Sequence, residues 1–520
     1  LSKIHLDQIS LDYLATQGYS AESIPNKGVR VILRNNANLS TGGTATDVTD
    51  DVHPEIFATA IAAAKMTGLD ICGIDMICDS IRAPLEEQRG AVIEVNAAPG
   101  LRMHLQPSFG KGRAVGESII DYMFAPGENG RIPIVAVTGT NGKTTTVRLI
   151  TNILSIHGMQ VGMTCTDGIF VDGDGIDTGD CSGPKSARNV LFHPKVDAAV
   201  LETARGGMLR EGLGFDHCDV AVVTNIGRGD HLGLAHINTS EEVALVKRIV
   251  IENVLPKKGF AILNADDPLV VKMADHSPGS VIFFTQNSRN PVMLTHRIQQ
   301  KRVIYLDKKT IIASSIDTEQ RFALSEIPLT QNGLIGFQIQ NVMAAIGAGW
   351  ALGIDWATIR AGLANFVSDA QTVPGRFNFF NYRNATLIAD YGHNPDAIEA
   401  LVDAIDNLPA KKRIVVISAA GDRRNEDIRL QTQILGDVFD EIVLYQDQCQ
   451  RGRLDGEVLG LLREGLEHAK RVSKVREIHG EFKAIDTALT NLQAGELCLI
   501  LVDQVEQSLN HIRERVTSHR

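Results

Sequence analysis

Ile134-Val135-Ala136-Val137-Thr138-Gly139-Thr140-Asn141-Gly142-Lys143-Thr144-Thr145-Thr146 is the stretch around which this chain of 520 residues is organised. A short apolar run ends in a glycine-punctuated turn, and a Lys-Thr pair then opens a segment of helical pattern reaching about His157. Strand, glycine-rich loop and helix in that order make a phosphate cradle. The glycines let backbone N–H groups approach the oxygens, and the helix N-terminus adds its positive dipole end. In such a loop Lys143 reaches the β/γ-phosphates and the Thr144 hydroxyl joins the Mg²⁺ shell. The pattern G-x-x-x-x-G-K-[ST] asks for glycine where this chain has Val137. Even so, the run from Thr138 to Thr146, set between a β-branched stretch and a helix, outweighs the reading as an ordinary strand-to-helix turn. The candidate ATP ligands are Gly139, Thr140, Asn141, Gly142, Lys143, Thr144 and Thr145.

A chain of this length exceeds what one core usually serves, so two to four domains are expected. A net charge of −11 argues against a general nucleic-acid or anionic-membrane surface, while leaving room for local basic pockets. The seven cysteines are scattered with no C-x-x-C pair, which favours reduced thiols in a cytoplasmic protein over a disulfide frame or a zinc site. No apolar run reaches membrane-spanning length and no signal-peptide pattern opens the chain. Leu1 in place of an initiator Met leads to the expectation of an N-terminally truncated fragment.

Three domains are expected, at 1–124, 125–373 and 374–520, with the turn-rich stretch Tyr122 to Arg131 as the first linker. In the first, His53 to Thr67 has a helical stripe of Ile56, Ala60, Ala63 and Ala64. Leu69–Cys78 and Gly90–Val95 read as a hairpin. Asp75 lies in the first run, and Glu94 and Asn96, two apart, face one side of the second. Three oxygen donors converging there suit Mg²⁺, although taken alone, isolated carboxylates at strand ends are more readily read as merely solvated. In the second domain, Asp197 to Glu202 and the nearly continuous apolar run Asp219 to Ile226 read as strands buried on both faces of a parallel sheet. Ligands gather at the carboxyl ends of such strands, which brings Glu202 beside the Thr144 metal site and lets His231 reach the same edge. Ser240 to Val254 is a helix with stripe Val243, Val246, Val250 and Val254. Lys247 lies on or beside that stripe, where its head must either snorkel to water or serve a function. In the third, apolar strands alternate with helical segments in a doubly wound pattern. The Arg423-Arg424 turn either holds a substrate carboxylate or is solvated.

Two resemblances sharpen this. Arg34-Asn35-Asn36-Ala37-Asn38-Leu39-Ser40-Thr41-Gly42-Gly43, Gly-Ile-Asp and Ile-Glu-Val-Asn-Ala-Ala-Pro-Gly together resemble the C-terminal half of an ATP-grasp domain. That resemblance implies that Asp75, Glu94 and Asn96 are metal ligands, and that Arg34, Asn38, Ser40, Gly42 and Gly43 face the substrate. The family's phosphate-binding lysines and adenine hinge precede this part of the fold, so the unit as written is expected to be an incomplete ATP site. From about Arg131 onward the chain resembles Mur ligases and folylpolyglutamate synthases, in Thr-Gly-Thr-Asn-Gly-Lys-Thr-Thr-Thr, Leu-Glu-Thr at Glu202, Asp-His-Leu at His231, Leu-Asn-Ala-Asp-Asp-Pro, Asn341-Val-Met-Ala-Ala-Ile and Asp390-Tyr-Gly-His-Asn-Pro-Asp. This implies metal binding by Glu202 and His231, an adenine contact for Asn341 and a nucleotide contact for Arg376. It also lines the cleft with Asp390, His393 and Asn394, and makes Lys247 a carbamylated lysine able to hold a second Mg²⁺. Lys143, Lys247 and His231 are then the catalytic set.

An ATP-grasp half ahead of a Mur-like half resembles the cyanophycin synthetases. Their chemistry implies ATP and Mg²⁺, with L-aspartate added to a backbone by the first half and L-arginine coupled to each aspartate side chain by the second. It also implies a growing cyanophycin polymer as partner and a homo-oligomeric assembly. An intact Mur-type loop favours this two-amino-acid version over joining of preformed dipeptides. The alternatives are a Mur or folylpolyglutamate-type ligase with an N-terminal appendage, and an ATP-binding regulatory module without chemistry.

Overall fold

The computed structural model describes residues 6–34, 39, 43–228, 232–233, 235–446 and 451–518. Asn38, Ser40, Gly42 and His231 lie outside these residues. The chain divides into two compact units, Leu1–Arg131 and Ile132–Arg520, and its architecture is α/β throughout.

In the first unit His53 caps the helix Pro54–Thr67, its ring accepting from the Glu55 N–H at 3.3 Å. Pro54 opens the helix, where its missing N–H is one of the unpaired donors anyway, and Gly68 ends it at φ 72°. The expected stripe of Ile56, Ala60, Ala63 and Ala64 is its half-buried side. The hairpin forms from β1 (Gly73–Ile77) and β2 (Ala91–Asn96), paired antiparallel with Asp75 opposite Glu94 and Gly73 opposite Asn96. A register shift after Asp75 interrupts the ladder there, which alternation in the sequence does not reveal. Arg113 ties the ends of the unit together through Asp47 (2.7 Å) and Asp50 (2.6 Å). The guanidinium holds the Asp47 carboxyl far below the ordinary carboxylate range.

The second unit begins with β3 (Ile134–Thr138), buried at every residue, followed by the helix Lys143–Ile156. Then come β4 (Val161–Cys165), β5 (Gly168–Val171), β6 (Asp174–Thr178), β7 (Ala198–Glu202), β8 (Val220–Val223) and the helix Ser240–Glu252. The sheet continues with β9 (Phe260–Asn264), β10 (Ser280–Thr285), β11 (Val303–Asp307), β12 (Thr310–Ser314) and β13 (Glu319–Ala323), and then the helix Gly336–Ala351. All of these strands join one sheet in the order β13-β12-β11-β10-β9-β8-β3-β7-β4-β5-β6. It is parallel from β4 through β11 and turns antiparallel at both edges. Val135 and Val137 pack on one face with the Lys143–Ile156 and Gly336–Ala351 helices. Ile134 and Ala136 pack on the other with Val243 and Val250. A strand buried on both faces has no reason to alternate polar and apolar residues, and this one does not.

The remainder forms a second sheet from β14 (Asn378–Tyr382), β15 (Ala385–Asp390), β16 (Arg413–Ile417), β17 (Glu441–Gln446), β18 (Lys474–His479) and β19 (Leu497–Leu501). Its order is β14-β15-β19-β16-β17-β18, parallel except for β14. Helices cover both faces, and Pro395–Asp406 follows β15. Among the described residues no helix is long and apolar enough to cross a membrane. The six described cysteines are all free.

Candidate active site

The loop after β3 is fixed by the strand end beside it. The Thr140 N–H donates to the Asn225 carbonyl (2.8 Å), the Asn141 N–H to Asn225 Oδ1 (2.9 Å) and the Thr224 hydroxyl to the Asn141 carbonyl (2.7 Å). Gly139 lies so close that a Cβ would fall 1.9 Å from the Thr224 hydroxyl oxygen, at a φ of 140°. Gly142, at φ 85°, would place a Cβ 2.3 Å from Asn341 Oδ1. Both positions require glycine. The first N–H groups of the Lys143–Ile156 helix have no intrahelical partners, and Gly142 to Thr145 line a cavity of about 950 Å³.

On that cavity the Thr144 hydroxyl donates to Glu202 at 2.8 Å. The Thr166 hydroxyl (3.0 Å) and N–H (3.3 Å) complete the donors to the same carboxylate. Thr144 and Glu202 are both buried. A buried carboxylate beside a hydroxyl at a helix N-terminus is a hard-oxygen donor set of the kind Mg²⁺ takes alongside substrate phosphates. The Lys143 ammonium donates to the Thr140 carbonyl at 3.0 Å. Lys247 does not snorkel: it is 1% exposed and donates to the Gly139 carbonyl at 2.7 Å. Asn341 flanks the loop, accepting from the Thr146 hydroxyl at 3.3 Å and donating to Gln338 at 2.9 Å.

The facing wall comes from the C-terminal sheet. Asp390, at the end of β15, accepts from the Phe377 N–H (2.8 Å) and the Gly392 N–H (2.6 Å). Arg376 stacks over the Tyr391 ring at 5.1 Å. His393 Nδ1 donates to the Tyr391 carbonyl at 2.6 Å, the carbonyl being able only to accept. Asn394 caps the Pro395–Asp406 helix through the Ala397 N–H and donates to Asn141 Oδ1 at 2.9 Å, so the loop and the C-terminal sheet touch directly. Arg423 is buried on the cavity wall, while Arg424 pairs with Glu426 (2.6 Å) and Asp427 (2.8 Å). The solvated alternative fails for Arg423, whereas Arg424 stays partly exposed in its ion pairs.

Burial pushes the Asp390 carboxyl up to about 6, against the opposing pull of Arg376 and its two N–H partners. A folded pKa above the unfolded one means that the folded protein holds the proton more tightly. Its contribution is therefore fully present below about pH 4 and is lost as pH rises through about 6, a change of about 3 kcal/mol. Urea unfolding of wild type and Asp390→Asn is expected to show a difference that changes across pH 4–6 and is flat above pH 7. A constant offset would refute the assignment.

In the first unit Asn96 donates to Glu94 (3.0 Å) and to Asp75 (3.4 Å), so the three oxygen-bearing side chains do meet. Desolvation, and then the Glu94 carboxylate opposite, raise the Asp75 pKa although the residue is exposed. Arg34 is taken up by Asp7 and by the Ser10 hydroxyl (3.4 Å). Gly43 lies in irregular backbone. Among the described residues no group of three His, Cys, Asp or Glu gathers for a metal; the acid pairs here rely on hydroxyl and amide partners.

Sequence reading missed Thr166, Asn225, Arg205 and Arg210. Thr166 directly follows β4 and Asn225 follows β8, so the carboxyl-end rule points to both. Arg205 and Arg210, on the helix Arg205–Glu211 just past Glu202, also line the cavity.

Residues 28–115 match the RimK-like ATP-grasp domain, 137–349 the Mur ligase middle domain and 375–501 the Mur ligase glutamate ligase domain. The chain is thus an ATP-grasp segment joined to the middle and C-terminal domains of a Mur ligase. Over its own residues it is similar to the cyanophycin synthetases. It is 41% identical over 516 residues to the cyanophycin synthetase of Crocosphaera subtropica, covering 99% of this chain and 59% of that protein. The chain therefore spans about three fifths of the curated relative's length. It is 27% identical over 378 residues to the UDP-N-acetylmuramoyl-L-alanyl-D-glutamate–2,6-diaminopimelate ligase of Chlorobaculum tepidum, covering 71% of each. FolC of E. coli, solved in complex with DHPP and ADP, shares the fold at a TM-score of 0.55 and 20% identity, over 75% of this chain and 89% of that one.

Proposed function

We propose that this chain is an ATP-dependent carboxylate–amine ligase of cyanophycin synthesis. Its Mur-like unit couples L-arginine to aspartate side-chain carboxylates, and its ATP-grasp unit serves addition of L-aspartate to the backbone. One observation carries the reading: an intact glycine loop, with Thr144 bonded to the buried Glu202, faces Arg376 and Asp390–Asn394 across a single cavity. A binding module without chemistry has no need of a buried carboxylate and a buried lysine aimed at the loop.

The loop amides and the helix N-terminus hold the β- and γ-phosphates of ATP, and Lys143 moves from the Thr140 carbonyl to offset the charge on the transferring group. Thr144 and Glu202, with His231, would hold Mg²⁺, which supplies electrostatic stabilisation of the phosphates when bound. Arg205 and Arg210 orient the acceptor carboxylate toward the γ-phosphoryl group. Transfer gives an acyl phosphate and ADP. The arginine α-amine then attacks the acyl carbon, and phosphate leaves as the amide forms. Asp75, Glu94 and Asn96 would hold Mg²⁺ in the first unit.

Purified protein is expected to turn ATP over to ADP when poly-aspartate is supplied with arginine, and also when hydroxylamine replaces arginine and traps the acyl phosphate, but not with arginine alone. ADP release driven instead by UDP-muramyl peptides or folates would transfer the chain to those ligases. No trapping under any condition would favour the regulatory module.

A further inference from the structure

The central sheet carries a second large cavity, about 970 Å³, at the edge from which its parallel strands start. Phe260 opens β9, Ser280 opens β10 and Arg302 immediately precedes β11, whereas the nucleotide loop leaves the opposite, carboxyl edge. The Arg302 guanidinium lies between two rings, 4.8 Å from the centroid of Phe260 and 4.7 Å from that of Trp350. It donates to the Trp350 carbonyl at 3.2 Å, in the last turn of the Gly336–Ala351 helix, where a cation is favoured.

That single carbonyl is its one hydrogen-bond acceptor among the described residues. No described carboxylate comes within ion-pair distance of Arg302, or of Lys272 and Lys301, which line the same cavity. Burial lowers the Arg302 pKa with no anion to oppose it. Asp275 and Asp317 also line the cavity but leave the cations in excess. An arginine held flat by two rings is a pre-organised fork for a planar or tetrahedral oxyanion.

The same helix reaches both cavities. Trp350 stands at one end, and Asn341 lies about 14 Å back along the axis, against Thr146 and Gly142 of the nucleotide loop. We propose that the Arg302 cavity is an effector site for a compact dianion, a phosphate or a dicarboxylate, bound by Arg302, Lys272 and Lys301, and that its occupancy is transmitted along this helix to the nucleotide loop.

The chain's two tryptophans, Trp350 and Trp356, have ring centroids 5.3 Å apart, so tryptophan emission reports on this corner alone. Titrating the full chain with inorganic phosphate, and separately with succinate, at constant ionic strength is expected to give a saturable emission change in at least one arm. The responding arm identifies the source of the anion. Arg302→Gln should weaken that response about tenfold or more. The double variant Lys272→Gln/Lys301→Gln, confined to the cavity rim, should weaken it several-fold and serves if the first variant folds poorly. Lys143→Ala should leave it in place, which separates this cavity from the nucleotide loop. Saturating succinate or phosphate should also shift the ADP affinity of wild type about two- to fivefold, and leave that of Arg302→Gln unmoved. Emission that stays unsaturated in both arms, or saturates equally in the cavity variants, overturns the site. Saturation with unchanged ADP affinity overturns its coupling to the loop.

Discussion

Glutamine at position 202 is expected to lower ligase turnover about 10²–10³-fold while leaving Mg²⁺-free ADP binding within a few-fold of wild type. Glu202 is 3% exposed and accepts three hydrogen bonds, from the Thr144 and Thr166 hydroxyls and the Thr166 N–H. Glutamine has the same shape and can keep the bonds from the Thr166 N–H and the Thr144 hydroxyl on one oxygen, and the Thr166 hydroxyl can rotate to accept from the new amide. Folding stability should therefore fall by only about 1 kcal/mol. The amide loses the negative charge, and with it the capacity to hold a divalent cation at the phosphates. Turnover and thermal unfolding measured on the same preparation separate the two effects. Thr166→Val, which removes one hydroxyl donor and leaves the carboxylate, should cost no more than several-fold in turnover. If Glu202→Gln retains more than about a tenth of wild-type turnover, a loss well short of an electrostatic contact to the reacting group, Glu202 is not the metal carboxylate.

The glycine loop and the carboxylate bonded to it were legible because each is a local pattern with one physical cause. Ile134 to Val137 is apolar at every residue since both faces of β3 are covered, and Gly139 and Gly142 stand where a side chain would strike Thr224 or Asn341. Lys247 stood out as a cation on an apolar stripe, and the structure buries it against the loop. The groups that escaped notice are not local. Asn225 holds the loop from more than eighty positions away, and Thr166 reaches Glu202 only because β4 and β7 are hydrogen-bonded neighbours. Strand order is a property of the packed sheet, and no window of sequence contains it. The far strands β9 to β13 were unread for a related reason: short apolar runs such as Phe260–Asn264 suit a buried helix as well as a buried strand. In the first unit, side-chain period placed Glu94 with Asn96. The pairing that sets Asp75 opposite Glu94 depends on a register shift that the sequence does not mark.

Methionine at position 247 is expected to lower turnover by about 100-fold or more while leaving the protein as stable as wild type, or more stable by about 1–2 kcal/mol. Lys247 is almost wholly buried among Val243, Ala244, Val250 and Ile251 on the Ser240–Glu252 helix. Taking an ammonium out of water costs several kcal/mol, and methionine fills nearly the same volume without that cost. Against this stands the bond to the Gly139 carbonyl at 2.7 Å, whose loss is worth about 1.5–3 kcal/mol because its donor is charged. A lysine kept for the fold would show the reverse pattern, a marked fall in melting temperature with activity lost only in proportion. The two measurements together therefore decide what the residue is for. They also bear on the carbamate. Negative carbamate oxygens cannot replace an ammonium that points at a carbonyl, so a carbamylated Lys247 must turn away from Gly139 and toward the metal side of the cavity. Enzyme depleted of bicarbonate should then lose turnover and regain it when bicarbonate is added, with an intact mass that rises by one CO₂. Turnover indifferent to bicarbonate would leave the ammonium, held on the Gly139 carbonyl, as the working form.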